Sequence, residues 1–144
     1  MKPIYFCLPA DYKQTTIDFF NKFNGLNNKY IYEVYGSLNP SPFSSGRFQD
    51  DLPNCSYLQL EEYIKYLHKS KIKFNYVFNM KCLSGQEFDP DFKKQIIDFI
   101  QSLVNINIDS ITVSIPYLIS IIVEHFPDLA IVASLILRID SYCK

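Results

Sequence analysis

The sequence predicts an α/β protein in which parallel strands alternate with helices. Short apolar runs typical of buried strands alternate with segments that repeat apolar residues every three or four positions. The fourth and fifth runs are almost wholly apolar, as expected of parallel strands that are covered on both faces. The chain has 144 residues, which allows one domain spanning 1–144, and its 48% hydrophobic and 20% charged residues exclude a disordered chain.

Five predicted strands alternate with four predicted helices. The strands comprise residues 4–9, 30–35, 74–80, 111–115 and 129–137. Right-handed crossovers between parallel strands leave two architectures. One is a partial (β/α) TIM-barrel-like half barrel of about five strands, and the other is a flavodoxin-like doubly wound sheet.

Local signals place the starts of the helices. Asp11 is expected to cap the first helix, which runs to residue 23. Ser56, followed three residues later by Gln59, forms a capping-box pattern for the second helix. Asp89 and Pro90 fit the N-cap and first position of the third helix. Residues 116–126 form the fourth helix, and a long loop, 36–55, separates the second strand from the second helix.

Composition excludes several classes of protein. The net charge of −1 provides no general attraction for nucleic acid or an anionic membrane. The N-terminal apolar stretch is too short for a secretory signal, and the run 129–137 is about half of what a bilayer requires. Cysteines at 7, 55, 82 and 143 lack the spacing of a zinc site. We therefore expect a cytoplasmic protein with reduced thiols.

Four segments carry a resemblance to a known family. They are EVYGSLNPSPFSSGR at 33–47, KFNYVFNMKCL at 73–83, SITVSIPYL at 110–118 and FPDLAIVAS at 126–134. In this order, along nearly the whole chain, they resemble the collagenase-like peptidase family, peptidase family U-32. The resemblance implies the N-terminal half of a (β/α)8 barrel, with spatial strand order 1-2-3-4-5 and the helices outside.

The resemblance also implies activities. Family members carry a peptidase label, and several are implicated in oxygen-independent hydroxylation of RNA bases or of a quinone precursor. Those members use cysteine-bound iron–sulfur clusters and, in places, prephenate. Their clustered downstream cysteines have no counterpart in this chain. The sequence therefore identifies no cofactor and no metal ligand, and it leaves enzymatic activity undecided.

Four residues are candidates for binding substrate, because ligands of parallel α/β folds bind beyond the carboxyl ends of the strands. They are Glu33, Ser37, Arg47 and Asn79. Arg47 can clamp a carboxylate or phosphate beside the backbone amides of 44–46, or pin its own loop through nearby aspartates. Glu33 is a carboxylate within a strand, so it needs a ligand or a structural partner such as Lys73 or a tyrosine hydroxyl.

Other polar residues have weaker functional interpretations. Asn75 and Asn79 lie four residues apart on one strand and therefore share a face. Cys82 lacks a convincing base, since His68 is expected near the opposite rim of the sheet. His125 fits the C-terminal end of a helix, where a cation is favourable. No P-loop, GxGxxG or GxSxG motif is present.

The favoured function is a truncated U-32-like domain that contributes a small pocket for an anionic ligand or substrate at the carboxyl ends of the strands, with no demonstrated catalysis by this chain alone. The alternative is a non-enzymatic module that assembles with itself or with a complementing chain. Five strands cut from a barrel leave open edges at the first and fifth strands. We therefore expect a homodimer that buries an apolar inner face or pairs fifth strands, or else an obligate partner chain.

Overall fold

The computed structural model describes residues 2–43, 45–80 and 82–137. The strands are β1 (Ile4–Pro9), β2 (Lys29–Gly36), β3 (Lys73–Phe78), β4 (Ser110–Val113) and β5 (Ala130–Ala133). The α-helices are α1 (Gln14–Phe23), α2 (Tyr57–Lys69), α3 (Pro90–Asn105) and α4 (Pro116–His125). Strands and α-helices alternate along the chain, as the sequence predicts.

All strand pairs are parallel, and the strands lie in the order β1-β2-β3-β4-β5. Each strand thus neighbours the next strand in the sequence, with a helix in the connection. This order confirms the prediction of an α/β sheet like part of a barrel. A flavodoxin-like order, in which β1 would lie between β2 and β3, is excluded.

One apolar core lies between the sheet and the helices. Alternate residues of the strands and the apolar stripes of all four helices contribute to a single buried cluster. Its fully buried members include Val34, Phe74, Tyr76, Phe78, Leu60, Ile64, Ile96, Ile100, Ile111, Leu118 and Ile122. The helices therefore cover one face of the sheet, and we call the opposite face the inner face.

A β-bulge at Tyr32 decides which residues of β2 face the core. Ile31 and Glu33 both pair with successive residues of β1, whereas Tyr32 between them is skipped. Ile31 and Val34, three positions apart, are therefore both buried in the core. Glu33 and Tyr35 lie on the inner face instead. The register with β3 continues this alternation across the sheet.

Three of the predicted helix starts are confirmed, including that of α4 at Pro116. The Ser56 side chain accepts a hydrogen bond from the Gln59 backbone N–H at 3.3 Å, and the Gln59 side chain accepts one from the Ser56 N–H at 2.9 Å. Asp89 is the N-cap of α3, and Pro90 occupies its first position. These contacts satisfy N–H groups that lack partners within the helix.

The predicted start of α1 is wrong by two residues. Asp11 does not cap the helix, which begins at Gln14 after Lys13. The Asp11 carboxylate instead accepts a hydrogen bond from the Lys13 backbone N–H at 3.0 Å and one from the Thr16 hydroxyl at 2.6 Å. Asp11 thus stabilises a turn before the helix, a role that short polar side chains share with N-caps.

The fifth strand is shorter than predicted. The apolar run 129–137 contains only the four residues of β5, followed by a 3-10 turn at Leu135–Leu137. The Ser134 backbone N–H still donates to Val113 O at 2.8 Å, after which the Ser134 hydroxyl accepts from the Ile136 N–H at 3.2 Å. This local hydrogen bond diverts the backbone from the strand.

The described cysteines are free thiols: Cys7, Cys55 and Cys82, of which Cys55 is buried. Cys143 lies outside the described residues. Burial raises the pKa of the Cys55 thiol to about 12. Burial likewise raises the pKa of the Tyr76 hydroxyl to about 12. Both groups are therefore neutral in the folded protein at physiological pH.

Burial of Cys55 should make the protein less stable in alkaline solution. Its folded-state pKa of about 12 exceeds the ordinary value of 9.0, so its stabilising contribution is complete below pH 9.0 and is lost as the pH rises towards 12. Between about pH 8 and 10, the wild type should lose about 1 kcal/mol more free energy of unfolding than Cys55→Ala. Urea denaturation measures this difference.

The exposed thiol of Cys82 supplies the control for this measurement. A Cys82→Ala variant should show the same alkaline loss as the wild type, because it retains the buried Cys55 thiol. Equal losses in the wild type and in Cys55→Ala would contradict the assignment to Cys55.

Candidate ligand-binding site

The centre of the inner face carries a polar network. Asn75 Nδ2 donates to Glu33 Oε1 at 3.2 Å, and Ser110 Oγ donates to Glu33 Oε2 at 3.3 Å. Thr112 Oγ1 in turn donates to Asn75 Oδ1 at 2.8 Å. The half-buried carboxylate is thus compensated by neutral donors on two neighbouring strands. The inner face is therefore not the apolar surface that the sequence predicts.

Lys73 is not the partner of Glu33, so the predicted structural pair of these two residues is wrong. No ion pair joins these two side chains within the described ranges. The Lys73 ammonium lies over the Tyr32 ring, 5.1 Å from its centroid, and a hydrogen bond to Tyr32 raises its pKa. The bulge presents the Tyr32 ring to Lys73, and the ammonium group interacts with this ring.

The long loop after β2 is anchored at both ends. Asn39 and Cys55 exchange backbone hydrogen bonds of 3.1 and 2.9 Å, and Asn39 Nδ2 donates to Leu52 O at 3.0 Å. Between these residues, the ring of Phe43 is buried in the core, 5.5 Å from the ring centroid of Phe78 and 5.1 Å from that of Phe99. The loop therefore folds back over the carboxyl end of β3.

Gly46 brings this loop into contact with Asn79. It adopts a left-handed conformation with φ of 78°, and a Cβ atom there would collide with the Asn79 carbonyl oxygen. Only glycine satisfies both conditions without strain. Asn79 Oδ1 is shielded from solvent and has no hydrogen-bond partner among the described residues. The backbone of Asn79 therefore leaves no room for a side chain at position 46, a constraint that the sequence does not reveal.

Arg47 follows Gly46 and reaches the inner face at the carboxyl ends of the strands. Its guanidinium carbon lies 5.9 Å from the centroid of the Tyr35 ring, a cation–π arrangement. The side chain is exposed, and it forms no ion pair with Asp50, Asp51 or any other described acidic residue. The suggestion that Arg47 pins its own loop through these aspartates is therefore wrong.

Arg47 borders two adjoining pockets. The larger has a volume of about 470 Å³ and is lined by Tyr35, Ser45, Gly46, Arg47, Asn75, Val77, Asn79, Thr112, Val132, Ala133, Ser134, Leu135 and Ile136. The smaller, of about 180 Å³, is lined by residues that include Pro9, Tyr12, Tyr35, Ser37, Ser45 and Arg47. Both lie at the carboxyl edge of the sheet, where parallel α/β proteins bind their ligands.

The structure places the four candidate residues differently with respect to these pockets. Arg47 and Asn79 line the larger pocket, and Ser37 lines the smaller one. Glu33 lines neither pocket and lies one layer below, hydrogen-bonded to Asn75 on the pocket floor. Ser44, whose amide was considered beside Arg47, lies outside the described residues.

Sequence reasoning missed most of the pocket wall. Tyr35, Thr112 and Val132 alternate with core residues along β2, β4 and β5, so a strand periodicity of two contains the necessary signal. The apolar run predicts an extended strand at Leu135 and Ile136, which instead form a turn at the pocket rim. Their position could not be inferred from a continuous apolar run.

The Cys7 thiol is not activated as a nucleophile. Burial and then the nearby carboxylate of Glu33 raise the pKa of the Cys7 thiol, which disfavours the reactive thiolate. His68 Nε2 instead lies 2.8 Å from Asp109 Oδ2, at the amino end of the sheet, as the sequence predicts for its location. Within the described ranges no group of three or more potential ligands could hold a metal ion.

The fold and the pockets define a parallel (β/α) domain that is open at the carboxyl ends of its strands. The family model described as Peptidase family U32 matches residues 20–144. The chain belongs to peptidase family U32, as the segment resemblance implies. Among the described residues, no helix has both the length and the apolarity needed to cross a membrane.

The chain spans about half of the length of the first relatives that it matches. The chain is 28% identical over 141 residues to an uncharacterized protease of Methanocaldococcus jannaschii, covering 94% of this chain and 41% of that protein. Its fold is similar to that of the U32 peptidase Mk0906, with a TM-score of 0.71 and 14% identity over 98% of this chain and 51% of the peptidase.

A second solved structure shows a more distant likeness over a comparable length. It is a hypothetical protein from Ruminiclostridium thermocellum, with a TM-score of 0.52 and 9% identity over 92% of this chain and 97% of that one. At this identity the likeness concerns the fold alone.

The close contact of Gly46 with Asn79 should make Gly46→Ala more destabilising than Gly85→Ala. Both glycines have positive φ, of 78° and 82°, so both substitutions incur similar backbone strain. Only at Gly46 would the added methyl group meet other atoms, since nothing lies within 4 Å of that position at Gly85. The additional loss for Gly46→Ala should be about 1–3 kcal/mol of unfolding free energy in urea. If the two variants lose equal amounts of unfolding free energy, Gly46 does not pack closely against Asn79.

Proposed function

We propose that the larger pocket binds a small organic anion through Arg47 and forms part of the substrate site of this U32 domain. The observation that carries the proposal is the guanidinium at the pocket border, which has no acidic partner in the described part of the chain. A guanidinium has five N–H donors in a planar fork, which match a carboxylate in two parallel hydrogen bonds.

The surroundings of Arg47 favour an organic carboxylate. The Tyr35 ring beneath the guanidinium restricts its orientation. Hydroxyl groups of Thr112 and Ser134 and apolar side chains such as Val77 and Val132 complete the wall. A few polar groups within an apolar lining are typical of sites for small organic molecules.

The other candidate residues have supporting roles in this proposal. Asn79 packs closely against Gly46, next to Arg47, and so limits the path of this segment. Ser37 belongs to the adjoining small pocket, where its backbone carbonyl accepts a 2.6 Å hydrogen bond from the Tyr12 hydroxyl. Glu33 orients Asn75 through the polar network.

We assign no catalytic step to this chain alone. The Glu33 carboxylate is engaged by Asn75 and Ser110, and the pKa of the Cys7 thiol is raised. The chain spans 41% and 51% of the protease and peptidase that it resembles. In the proposal, this domain supplies the anion-binding residue Arg47. The reacting groups come from other parts of a complete assembly.

A cytoplasmic location is also part of the proposal. Its support is the free state of the three described thiols, which is typical of proteins in a reducing compartment. The net charge of −1 gives no support for nucleic acid as a partner of this chain alone.

Replacement of Arg47 should weaken anion binding selectively. Arg47→Ala should weaken carboxylate binding by about 1.5–3 kcal/mol, or roughly 10- to 150-fold, the range for hydrogen bonds to charged groups. NMR titration with acetate, benzoate and citrate measures the change. The carboxylate affinity of Arg47→Lys should lie between those of the wild type and Arg47→Ala, because a lysine keeps the charge and loses the planar fork.

Lys65→Ala is the matched control for the loss of a cation. Lys65 pairs with Glu61 on the exposed surface of α2, away from the pocket. Its removal should leave carboxylate binding unchanged. If the wild type binds none of the three anions, or if Arg47→Ala binds them equally well, the pocket is not an anion site.

We infer a second candidate function, in which the domain assembles with another chain. The observation that favours it is the pair of open sheet edges: among the described strands, β1 pairs only with β2 and β5 pairs only with β4. Apolar side chains remain exposed near both edges, including Phe19 at 61% and Leu135 at 96%. Exposed apolar surface beside an unpaired strand is typical of an interface.

A further inference from the structure

We propose that the smaller pocket receives an ammonium group, so that the ligand of this site is a small zwitterionic amino acid. Arg47 binds the carboxylate where the two pockets adjoin, and Asp51 binds the ammonium group of the same molecule in the smaller pocket. The inference rests on the proposed function, because it keeps the carboxylate on Arg47. It adds the chemical class of the ligand.

The smaller pocket carries one side chain of each charge. Arg47 and Asp51 both line it, and its other described lining residues are uncharged. Neither of the two forms an ion pair with the other or with any other residue in the described part of the chain. A zwitterion complements both charges, whereas a simple carboxylate complements only Arg47 and brings its negative charge to a pocket that already holds an aspartate.

The two charged residues are positioned by separate contacts. The aromatic contact described above restricts the orientation of the Arg47 guanidinium. Asp51 lies in a 3-10 turn, where its backbone N–H donates to Phe48 O at 3.2 Å. Asn39 Nδ2 holds the following residue through its 3.0 Å hydrogen bond to Leu52 O. Both residues therefore keep their places on the pocket wall without an ion pair between them.

The volume of the smaller pocket favours a small molecule. It measures about 180 Å³, slightly more than the roughly 150 Å³ of a cavity that accommodates benzene. Alanine has as many non-hydrogen atoms as benzene. Its methyl group suits the apolar part of the lining, to which Pro9, Leu52, Pro53 and Val77 contribute. Alanine is therefore a simple ligand of the proposed class that fits this space.

The tyrosine hydroxyl of the smaller pocket cannot take the role of Asp51. The Tyr12 hydroxyl donates to Ser37 O at 2.6 Å. Burial raises the pKa of this hydroxyl, so that it is neutral at physiological pH. The absence of a side chain at Gly36 leaves room for the Tyr12 side chain in this position. Among the described lining residues, the negative charge that would bind an ammonium group thus belongs to Asp51.

A comparison of alanine with propionate tests the assignment, because the two molecules differ only in the ammonium group of alanine. NMR titration of the wild type at neutral pH should give alanine a dissociation constant about two- to fivefold lower than that of propionate, the range for an exposed ion pair. Asp51→Asn removes the charge with little change in size, and it should make the two dissociation constants equal. Arg47→Ala should weaken the binding of both ligands.

Asp50→Asn is the matched control, since Asp50 lies in the same turn, is exposed and does not line the pocket. This variant should retain the preference for alanine. Equal affinities of the wild type for the two ligands would overturn the inference, as would a preference that survives in Asp51→Asn. Loss of the preference in both asparagine variants would also overturn it, because the effect would then come from net charge rather than from the pocket.

The position of the bound ligand is measured on the wild type and so does not depend on the folding of a variant. Alanine should shift the backbone amide signals of Ser37 and Leu52, which line the smaller pocket, more than propionate does. Equal shifts would contradict the assignment. If propionate binds through Arg47 and alanine binds no more tightly, only the zwitterion assignment fails. If propionate does not bind, or binds equally well to Arg47→Ala, the proposed function fails as well.

Discussion

The β-bulge at Tyr32 is the constraint on which the rest of the structure depends. By skipping one residue against β1, it places Ile31 and Val34 in the core together and turns Glu33 and Tyr35 to the inner face. Without the bulge, β2 could not present both apolar residues to the helices. The core, the polar network around Glu33 and the ring beneath Arg47 thus follow from one local irregularity.

The loop after β2 converts this sheet geometry into a pocket. The buried ring of Phe43 fixes the middle of the loop against the core, and the backbone pairing of Asn39 with Cys55 fixes its ends. Between these anchors, the left-handed Gly46 directs the chain across Asn79. The position of Arg47 is therefore determined by packing, and its guanidinium has no acidic partner among the described residues.

The sequence predicts those features that depend on neighbouring residues. The strand order, the capping box at Ser56 and the start of α3 depend on short-range patterns or on the family resemblance, and the structure confirms them. The end of β5 depends on a hydrogen bond of the Ser134 hydroxyl, which an apolar run does not indicate. The hydrogen bonds of Glu33 to Asn75 and Ser110 join residues distant in sequence, so only the folded register reveals them.

The two inferred functions meet at β5. Its inner-face side chain Val132 lines the proposed anion pocket, and its outer edge has no neighbouring strand among the described residues. A partner segment that covered this edge would bury exposed apolar area and enclose the ligand on the side opposite Arg47. Enclosure strengthens the guanidinium–carboxylate interaction, because it removes competing water and lowers the effective dielectric constant. Anion affinity should therefore increase with assembly, so that pocket and interface are thermodynamically linked.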